Sequence, residues 1–375
     1  MKEEDKRGHR LIDTVTRSLV LSLVFVSNLG LSFIMSVISA LDVIYWLDVI
    51  DEALDSVKSR LYSAILGYDI RFRTRQRGSS AVLVTGASRG IGAYVAVTLA
   101  EQGYVVFAGV ADIMDGQNLK RFLTPAAQSQ LIPVQLDITN QKHISSAADA
   151  IQFHLCMHSP ARHLFAVINC DGQPLQSPIE TVRQSDWMHL FVSNTIGPMV
   201  VVQAMLPLLR QSHGRIINLS SVSSLTASPM NGAFAATKSA LESATDALRV
   251  EVHRFGIAVS LVIPGSVDLT FLDGFAYQEP SNGSVLHKLT IPDKEAQLYA
   301  PLIDSIETIT SNEPKQQLVS PEHVTMAILH ALTSPFPKTR YVVGIDAKLT
   351  QFLRTVFPDR LLDWGYHVLI KHSSV

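Results

Sequence analysis

Cysteine is scarce in this chain, and its charges nearly cancel. The 375 residues include two cysteines, Cys156 and Cys170, too few for a disulfide framework, and we expect both to be buried thiols. Lys and Arg number 31 against 33 Asp and Glu, a formal net charge of −2. Because a nucleic-acid-binding surface shows a clustered basic excess, no nucleic-acid partner is expected. No group of Cys and His residues has metal-ligand spacing, so we predict no metal site.

Charge is absent altogether from one segment near the N-terminus. No charged residue lies between Ser18 and Leu41, and a helix of those 24 residues would be about 36 Å long, enough to cross a hydrocarbon core of about 30 Å. The segment is longer than the apolar region of a cleavable signal peptide. Asn28 and Gly30 interrupt its middle, so a membrane hairpin or a buried helix pair stays open. We predict a single-pass anchor in the endoplasmic reticulum or another internal membrane, with the lipid bilayer as a partner.

The charges on either side of the anchor bear on its orientation. Five basic residues precede it and five acidic residues follow it within the next 14 positions, which favours a cytosolic N-terminus and a lumenal folded domain. Lys58, Arg60 and four arginines between positions 71 and 77 oppose that bias. The orientation therefore stays open at the level of sequence.

Composition divides the chain into five stretches. They are a charged tail (1–17), the membrane segment (18–50), a polar basic connector (51–79), a large sheet domain (80–345) and amphipathic C-terminal helices (346–375). The apolar residues of the last stretch recur at helical spacing, so these helices either pack over a substrate cleft or touch the membrane surface. A loop is predicted at positions 280–284, where Pro, Ser and Gly concentrate.

Short apolar runs alternate with segments of helical period from position 80 onward. This alternation predicts an α/β fold with a doubly wound, Rossmann-like parallel sheet in a single domain. The predicted strands are 81–85, 105–109, 132–136, 165–169, 215–220 and 258–263. The predicted helices are 90–102, 141–156, 185–209 and 232–255.

A glycine-rich turn joins the first predicted strand to the first predicted helix. Gly86, Gly90 and Gly92 permit a tight turn and a close approach of the backbone to a ligand. The free N–H groups at the start of the helix would receive a diphosphate. This context predicts a dinucleotide site.

The turn resembles the cofactor turn of the short-chain dehydrogenase/reductase family, and further segments agree in order over positions 80–345. Positions 136–139 resemble its adenine-contacting strand end, and positions 264–267 resemble its Pro-Gly motif beside the nicotinamide. Positions 169–172, Asn-Cys-Asp-Gly, resemble its Asn-Asn-Ala-Gly motif with two changes. The stretches 339–344 and 358–360 resemble the retinol, steroid and 3-hydroxybutyrate dehydrogenase branch. The resemblance implies cofactor contacts from Gly86, Ser88, Arg89, Gly90, Ile91, Gly92, Asp112, Asp137, Ile138, Asn169, Lys238, Pro264, Gly265 and Val267.

The resemblance also implies a catalytic set, and one member of it is missing. Ser221, Lys238 and Asn194 fall on the family's serine, lysine and asparagine positions, but Phe234 stands where the family has its proton-donating tyrosine. Phenylalanine has no titratable proton. The alternative interpretations are a strand-end cap for Ser221, a solvated surface residue for Lys238 and a bridge between backbone groups for Asn194.

The resemblance implies a nicotinamide cofactor, with NADP slightly favoured over NAD. Arg89 could pair with a 2′-phosphate, whereas Asp112 would disfavour one but lies one or two positions late. The predicted function is NAD(P)-dependent hydride transfer on a small apolar alcohol or ketone of retinoid, steroid or lipid type, with impaired catalysis. The alternative is an inactive, dinucleotide-binding scaffold or regulator. A homodimer is compatible with either function.

Overall fold

The computed structural model describes residues 72–74, 80–157, 162–268, 287–288, 293–311 and 318–373. All of them lie in the compact unit Arg71–Val375. The predicted anchor, most of the predicted connector and the predicted loop at 280–284 lie outside the described residues.

A seven-stranded parallel sheet forms the centre of the fold, in the order β3-β2-β1-β4-β6-β7-β9. In register, Leu83 pairs with Phe107 on one side of β1 and Val84 pairs with Ile168 on the other. The strand order reverses between β1 and β4, so a crevice opens at the carboxyl ends of these two strands. The strands are β1 Ser80–Thr85, β2 Val105–Val110, β3 Leu131–Gln135, β4 His163–Asn169, β6 Arg215–Leu219, β7 Ala258–Pro264 and β9 Arg340–Val343, with a separate parallel pair of β5 Leu175–Gln176 and β8 His287–Lys288.

Helices cover both faces of the sheet, as the alternation of strands and helices predicted. They are α1 Gly90–Glu101, α2 Ile113–Leu119, α3 Gln141–Met157, α4 Gln184–Phe191, α5 Gly197–Ser212, α6 Gly232–His253, α7 Asp293–Ser311, α8 Pro321–Thr333, α9 Ile345–Val356 and α10 Asp359–Ser373. Successive residues of β1 point to opposite faces, with Val82 and Val84 packing in the cluster of α1, α2 and α8. Ala81 and Leu83 pack with α3, α5 and α6. The parallel Rossmann-like sheet is therefore confirmed.

The predicted helix 185–209 is not continuous, which corrects the sequence prediction. A π-helical turn, Val192–Ile196, separates α4 from α5, and α5 runs on to Ser212. Thr195 donates its hydroxyl to the carbonyl oxygen of Thr237 at 2.8 Å, and Pro198 brings no N–H to the start of α5. These tertiary contacts favour the wider turn over a regular helix.

The stretch Gln184–Ser212 is long and apolar enough to cross a membrane, with a mean hydropathy of 1.5 in its most apolar window. Half of that window is buried in the fold. Val201, Met205 and Leu209 pack against the sheet. Within the described residues this stretch therefore packs in the core of the domain, on one face of the sheet.

A buried arginine ties three separate parts of the domain together. Arg215, at the start of β6, is 1% exposed. Its guanidinium donates to the carbonyl oxygens of Ala331 at 2.7 Å, Ser334 at 2.6 Å and Arg73 at 3.1 Å. Burial lowers its pKa to about 10. The end of α8 and the segment at 72–74 are thus held to the sheet through one cation.

The C-terminal helices α9 and α10 occupy the stretch expected to be amphipathic. They border a cavity of about 550 Å³ together with α6 and the loop that follows β6. Phe352 and Leu369 remain 58% and 56% exposed. The helices thus pack on the domain with one face and leave apolar side chains on the other.

Candidate active site

The glycine turn lies at the carboxyl end of β1, and its backbone requires glycine at specific positions. Gly86 and Gly90 have φ values of +62° and +60°, in the left-handed region that favours glycine. A Cβ on Gly92 would lie 2.3 Å from the carbonyl oxygen of Gly86, which no side chain tolerates. A Cβ on Gly90 would meet no described atom within 4 Å. The space beside Gly90 is therefore open to a ligand.

The start of α1 suits an anion. Its first turn contains no acidic residue, and the exposed Arg89 stands at its N-cap. Ser88 and Ile91 are half-buried in the same turn. Free backbone N–H groups and the positive end of the helix dipole favour a diphosphate here. The turn thus fits the phosphates of a dinucleotide.

Two acidic residues follow the neighbouring strands, and each is engaged by its own loop. Asp112 lies two residues beyond the end of β2, where its Oδ1 accepts from the N–H of Met114 at 2.9 Å and caps α2. Asp137 Oδ1 accepts from the backbone N–H and the hydroxyl of Thr139, at 2.9 and 2.7 Å. Ile138, the residue after Asp137, is buried. Their contacts with a cofactor stay predictions.

Asn169, at the end of β4, uses its side chain within the protein. Its Nδ2 donates to Asn218 Oδ1 at 2.8 Å and to the carbonyl oxygen of Pro198 at 3.3 Å, and its Oδ1 accepts from Thr85 Oγ1 at 3.5 Å. The residue is fully buried. This network holds the ends of β1, β4 and β6 together, so the predicted cofactor contact would fall to the backbone of this loop.

Asp171 lies against the glycine turn. It stands at the alanine position of the family's Asn-Asn-Ala-Gly motif. A Cβ built on Gly86 would be 3.1 Å from Asp171 Cγ. Its Oδ2 is buried and has no hydrogen-bond partner among the described residues. Burial raises the pKa of Asp171 to about 6, against the lowering effects of Thr85 and Lys238. The sequence showed this substitution, but only the structure shows where its charge lies.

Cys170, the other substitution in this motif, is a half-buried thiol rather than the fully buried one expected. Burial raises its pKa well above the ordinary value, and the neighbouring Asp171 raises it further. A thiol that does not ionise is a poor nucleophile. Cys156, in contrast, is exposed, which corrects the expectation that both cysteines are buried.

Lys238 is buried, so the alternative of a solvated surface lysine is wrong. The residue is 3% exposed, and its Nζ donates to the carbonyl oxygens of Leu219 at 3.0 Å and Asp171 at 3.4 Å. Burial lowers its pKa to about 8, although Asp171, Cys170 and Glu242 oppose that shift. A largely protonated ammonium at neutral pH is thus held between the ends of β4 and β6.

Phe234 lies one helical turn before Lys238 on α6. Its ring centroid is 5.9 Å from Lys238 Nζ, so the two side chains share a face as the four-residue spacing requires. Phe234 is half-buried. The structure therefore places an apolar ring beside the cation.

Asn194 clamps the loop that follows β4. Its Oδ1 accepts from the N–H of Gln173 at 2.7 Å, and its Nδ2 donates to the carbonyl oxygen of Gln173 and to Thr237 Oγ1, both at 3.0 Å. The π-helical turn turns this side chain toward the loop. These contacts agree with the alternative in which Asn194 bridges backbone groups.

Ser221 follows β6 and makes short-range contacts. Its Oγ accepts from the N–H of Ser223 at 3.2 Å and donates to Ser223 Oγ at 3.3 Å, which caps a short turn. Ser223 Oγ is in turn held by Asn231 Nδ2 at 2.8 Å. The capping interpretation of Ser221 thus has a structural basis. A catalytic role would require its half-buried hydroxyl to exchange this contact for a substrate oxygen.

The loop after β7 is shaped by a residue that sequence reasoning missed. Pro264 ends β7, and the N–H of Gly265 donates to the carbonyl oxygen of Val343 at 2.9 Å. The carboxylate of Asp346, on α9, accepts from the N–H of Ser266 at 2.6 Å. A Cβ on Gly265 would lie 2.0 Å from Asp346 Oδ1, so any larger residue there would displace this carboxylate. No local pattern could have linked positions 80 residues apart.

Val267 completes the same loop. It forms a parallel bridge with Val319, and the N–H of Val319 donates to the carbonyl oxygen of Ser266 at 2.7 Å. Together these contacts hold the loop beside the crevice. The site as a whole offers an anion-binding turn, a buried cation and a hydroxyl, but no titratable proton at position 234.

Comparison with known proteins points to one family. Residues 80–280 match the family model for short chain dehydrogenase. Retinol dehydrogenase 5 of Homo sapiens is 30% identical over 285 residues, which covers 75% of this chain and 86% of that protein. The 17-beta-hydroxysteroid dehydrogenase type 6 of Rattus norvegicus is also 30% identical, with the same two shares. Mitochondrial D-beta-hydroxybutyrate dehydrogenase of Bos taurus is 29% identical, covering 70% of this chain and 76% of that protein.

A solved structure shares the fold. The crystal structure of a short chain dehydrogenase from Burkholderia cenocepacia in complex with NADP superimposes with a TM-score of 0.54 at 21% identity. The superposition covers 76% of this chain and 96% of the Burkholderia cenocepacia chain. The predicted resemblance, including its retinol, steroid and hydroxybutyrate branch, is therefore confirmed.

Proposed function

The chain belongs to the short-chain dehydrogenase family of oxidoreductases, and from this premise we propose that it binds NADP or NAD at the carboxyl ends of β1 and β4. The observation that carries the proposal is the glycine turn, whose open space beside Gly90 faces a helix start without acidic residues. The buried ammonium of Lys238 adds a positive charge between the ends of β4 and β6.

The chain's own residues supply binding and orientation in the proposed reaction. The bound nicotinamide would accept or supply a hydride, and the protein would then have to supply or remove a proton. Lys238 would hold hydroxyl groups of the cofactor with its ammonium. Ser221 would orient the substrate oxygen. The helix start at Gly90 would hold the phosphates.

The proton step is the weak part of this site. Phe234 carries no proton, and among the described residues its neighbour Lys238 is the titratable group one helical turn away. General acid–base catalysis at such a position contributes about 10²–10⁴-fold in rate. We therefore propose slow hydride transfer rather than none, because Ser221 still offers a hydroxyl that could relay a proton.

The proposed substrate is a small apolar alcohol or ketone. Two of the relatives are named for retinol and a hydroxysteroid, and apolar side chains such as Phe352 and Leu369 stay exposed on the C-terminal helices. The proposed anchor at 18–41 would keep the site near substrates dissolved in an internal membrane such as the endoplasmic reticulum. Extraction with alkaline carbonate tests this: an anchored chain stays with the membrane pellet, whereas release contradicts the proposal.

A second candidate function is an inactive dinucleotide-binding scaffold or regulator. Phe234 favours it, because a site that keeps its phosphate turn and lysine but loses its proton donor can bind without turning over.

NADP is the proposed preferred form. Replacing the exposed Arg89 with alanine should then weaken NADP more than NAD in a binding titration, and equal losses would contradict the preference.

A pair of glycine variants tests dinucleotide binding. Gly90 begins α1 and Gly103 follows its end, both have positive φ, and a Cβ at either would meet no described atom within 4 Å. Gly90→Leu and Gly103→Leu therefore impose similar backbone strain, but only the first fills the proposed phosphate space. In calorimetric titration with NADP and NAD, we expect wild type and Gly103→Leu to bind and Gly90→Leu to lose binding. If folded wild type binds neither nucleotide at millimolar concentration, the proposed function is wrong.

A further inference from the structure

Asp171 places a carboxyl group directly against the turn that would receive the diphosphate. Its Cγ lies 3.1 Å from the position of a Cβ on Gly86, the first glycine of that turn. Its Oδ2 is removed from solvent and has no hydrogen-bond partner among the described residues. A carboxylate in such a place would be both poorly solvated and close to a dianionic ligand.

The charged and polar groups around Asp171 do not offset the cost of burying its negative charge. Lys238 on α6 lowers its pKa, and the Thr85 hydroxyl at the end of β1 does the same, but Asp137 after β3 opposes them. The Cys170 thiol beside it is neutral, because its own pKa is raised. Lys238 Nζ contacts the backbone carbonyl of Asp171, at 3.4 Å. Burial outweighs these effects, so the group already titrates near pH 6 before any ligand adds its negative charge.

We propose that Asp171 makes dinucleotide binding proton-linked, so that the cofactor binds with this carboxyl group neutral and a proton is taken up when the carboxylate form of the protein binds. This inference rests on the proposed dinucleotide site and adds a regulation to it. The sign follows from charge: a bound diphosphate disfavours the carboxylate further. The pKa of Asp171 is therefore higher in the complex than in the free protein.

Linkage then sets the pH range and the size of the effect. Below about pH 6 the free protein already carries the proton, and binding is insensitive to pH. Above that value each pH unit weakens binding up to about tenfold, until the pKa of the complex is reached. Affinity would thus fall as pH rises through the physiological range, opposite to a site that prefers a carboxylate.

The test is calorimetric titration with NAD, which lacks the titratable 2′-phosphate of NADP, between pH 5.5 and 7.5. Because the pKa of Lys238 is about 8, that lysine stays mostly charged over this range. For wild type we expect the Kd to rise about tenfold or more and, in buffers of different ionisation enthalpy, up to one proton to be taken up per NAD at pH 7. Asp171→Asn and Asp171→Ala should bind with a Kd that changes less than about twofold and with no proton uptake. Asp149→Asn, an exposed carboxylate on α3, removes the same charge elsewhere and should behave as wild type.

Two failures are distinguishable. If wild type binds NAD with the same Kd across the pH range, or with the same proton count as Asp171→Asn, the proton linkage is overturned while dinucleotide binding stands. If wild type, Asp171→Asn and Asp171→Ala all fail to bind at every pH while melting cooperatively, the proposed function is overturned together with the inference.

Discussion

Introducing a proton donor at position 234 is the most direct test of the proposed chemistry. Phe234→Tyr adds one hydroxyl to a ring of the same shape, half-buried on α6. Lys238 Nζ lies 5.9 Å from the ring centroid. The substitution therefore places a phenol beside a buried ammonium without changing the backbone.

The size of the effect can be worked from this geometry. A unit charge about 6 Å away at an effective dielectric constant of about 20 stabilises a phenolate by roughly 3 kcal/mol, or about two pKa units. The phenol would then titrate near pH 8 instead of about 10. Such a group can donate or accept a proton near neutral pH, so we expect kcat/KM to rise by about 10²-fold or more.

The assay follows the reduced nucleotide by absorbance with retinol, a 17β-hydroxysteroid and D-β-hydroxybutyrate as probe substrates. Phe255→Tyr is the matched control, since Phe255 is also half-buried but lies beyond the opposite end of α6. Phe234→Leu removes the ring without adding a hydroxyl. Both controls should stay at the wild-type rate.

Two results would refute this reasoning at different points. If wild type already turns over as fast as Phe234→Tyr, the absence of a hydroxyl at position 234 does not limit the reaction. If Phe234→Tyr stays inert on all probes while NAD still binds, the substrate cleft no longer supports the family's chemistry, and the scaffold function is favoured.

Three further predictions concern stability, measured by urea unfolding. Gly92→Ala forces a Cβ to 2.3 Å from a carbonyl oxygen and should lower the free energy of unfolding by about 1–3 kcal/mol. The control Gly365→Ala lies in α10, where no described atom is within 4 Å of the new Cβ, and should raise that free energy by about 0.5–1 kcal/mol. Equal effects would contradict the turn geometry. Arg215→Met leaves three carbonyl groups without their donor and should cost about 3 kcal/mol or more of stability. The control Arg210→Met changes an exposed arginine and should cost about 0.5 kcal/mol or less. A small loss at Arg215 would show that the stability of the domain does not depend on this cation. The folded pKa of Asp171 is raised from 3.8 to about 6, so wild type loses stability as the pH rises from about 4 to 6 and the buried group ionises. The free energy of unfolding of Asp171→Asn should therefore match that of wild type near pH 4 and exceed it by up to about 3 kcal/mol at pH 7. A difference that does not change with pH would contradict the burial of this charge.

The strands of the sheet could be predicted because each parallel strand carries its own signal. Six short apolar runs predicted strands, and all six are strands whose ends lie within two residues of the predicted ones. Five of them are buried almost throughout, which is why their runs are largely apolar, whereas β3 lies at the edge of the sheet and is partly exposed. β9 was missed, since its run has only four residues and three of them are only partly buried.

The candidate site was predictable in its residue types but not in its contacts. The glycine turn and the absent proton at Phe234 are local facts of the sequence. Asp346 was assigned to the C-terminal helices, yet its carboxylate holds the loop at Ser266. Asn169 was expected at the cofactor, but its side chain bonds to Asn218 in the core. Such partners are far apart in the chain, and no periodicity encodes them.

The sequence by itself determined where six strands of the sheet lie, where the glycine turn begins and that position 234 has no titratable proton. These properties follow from the chemistry of single residues and from short periodic patterns. Only the tertiary structure decided how Lys238 and Asp171 titrate and why the helix widens at Asn194. Those outcomes depend on burial and on partners brought together from distant strands and helices, because desolvation and hydrogen bonding act through space rather than along the chain.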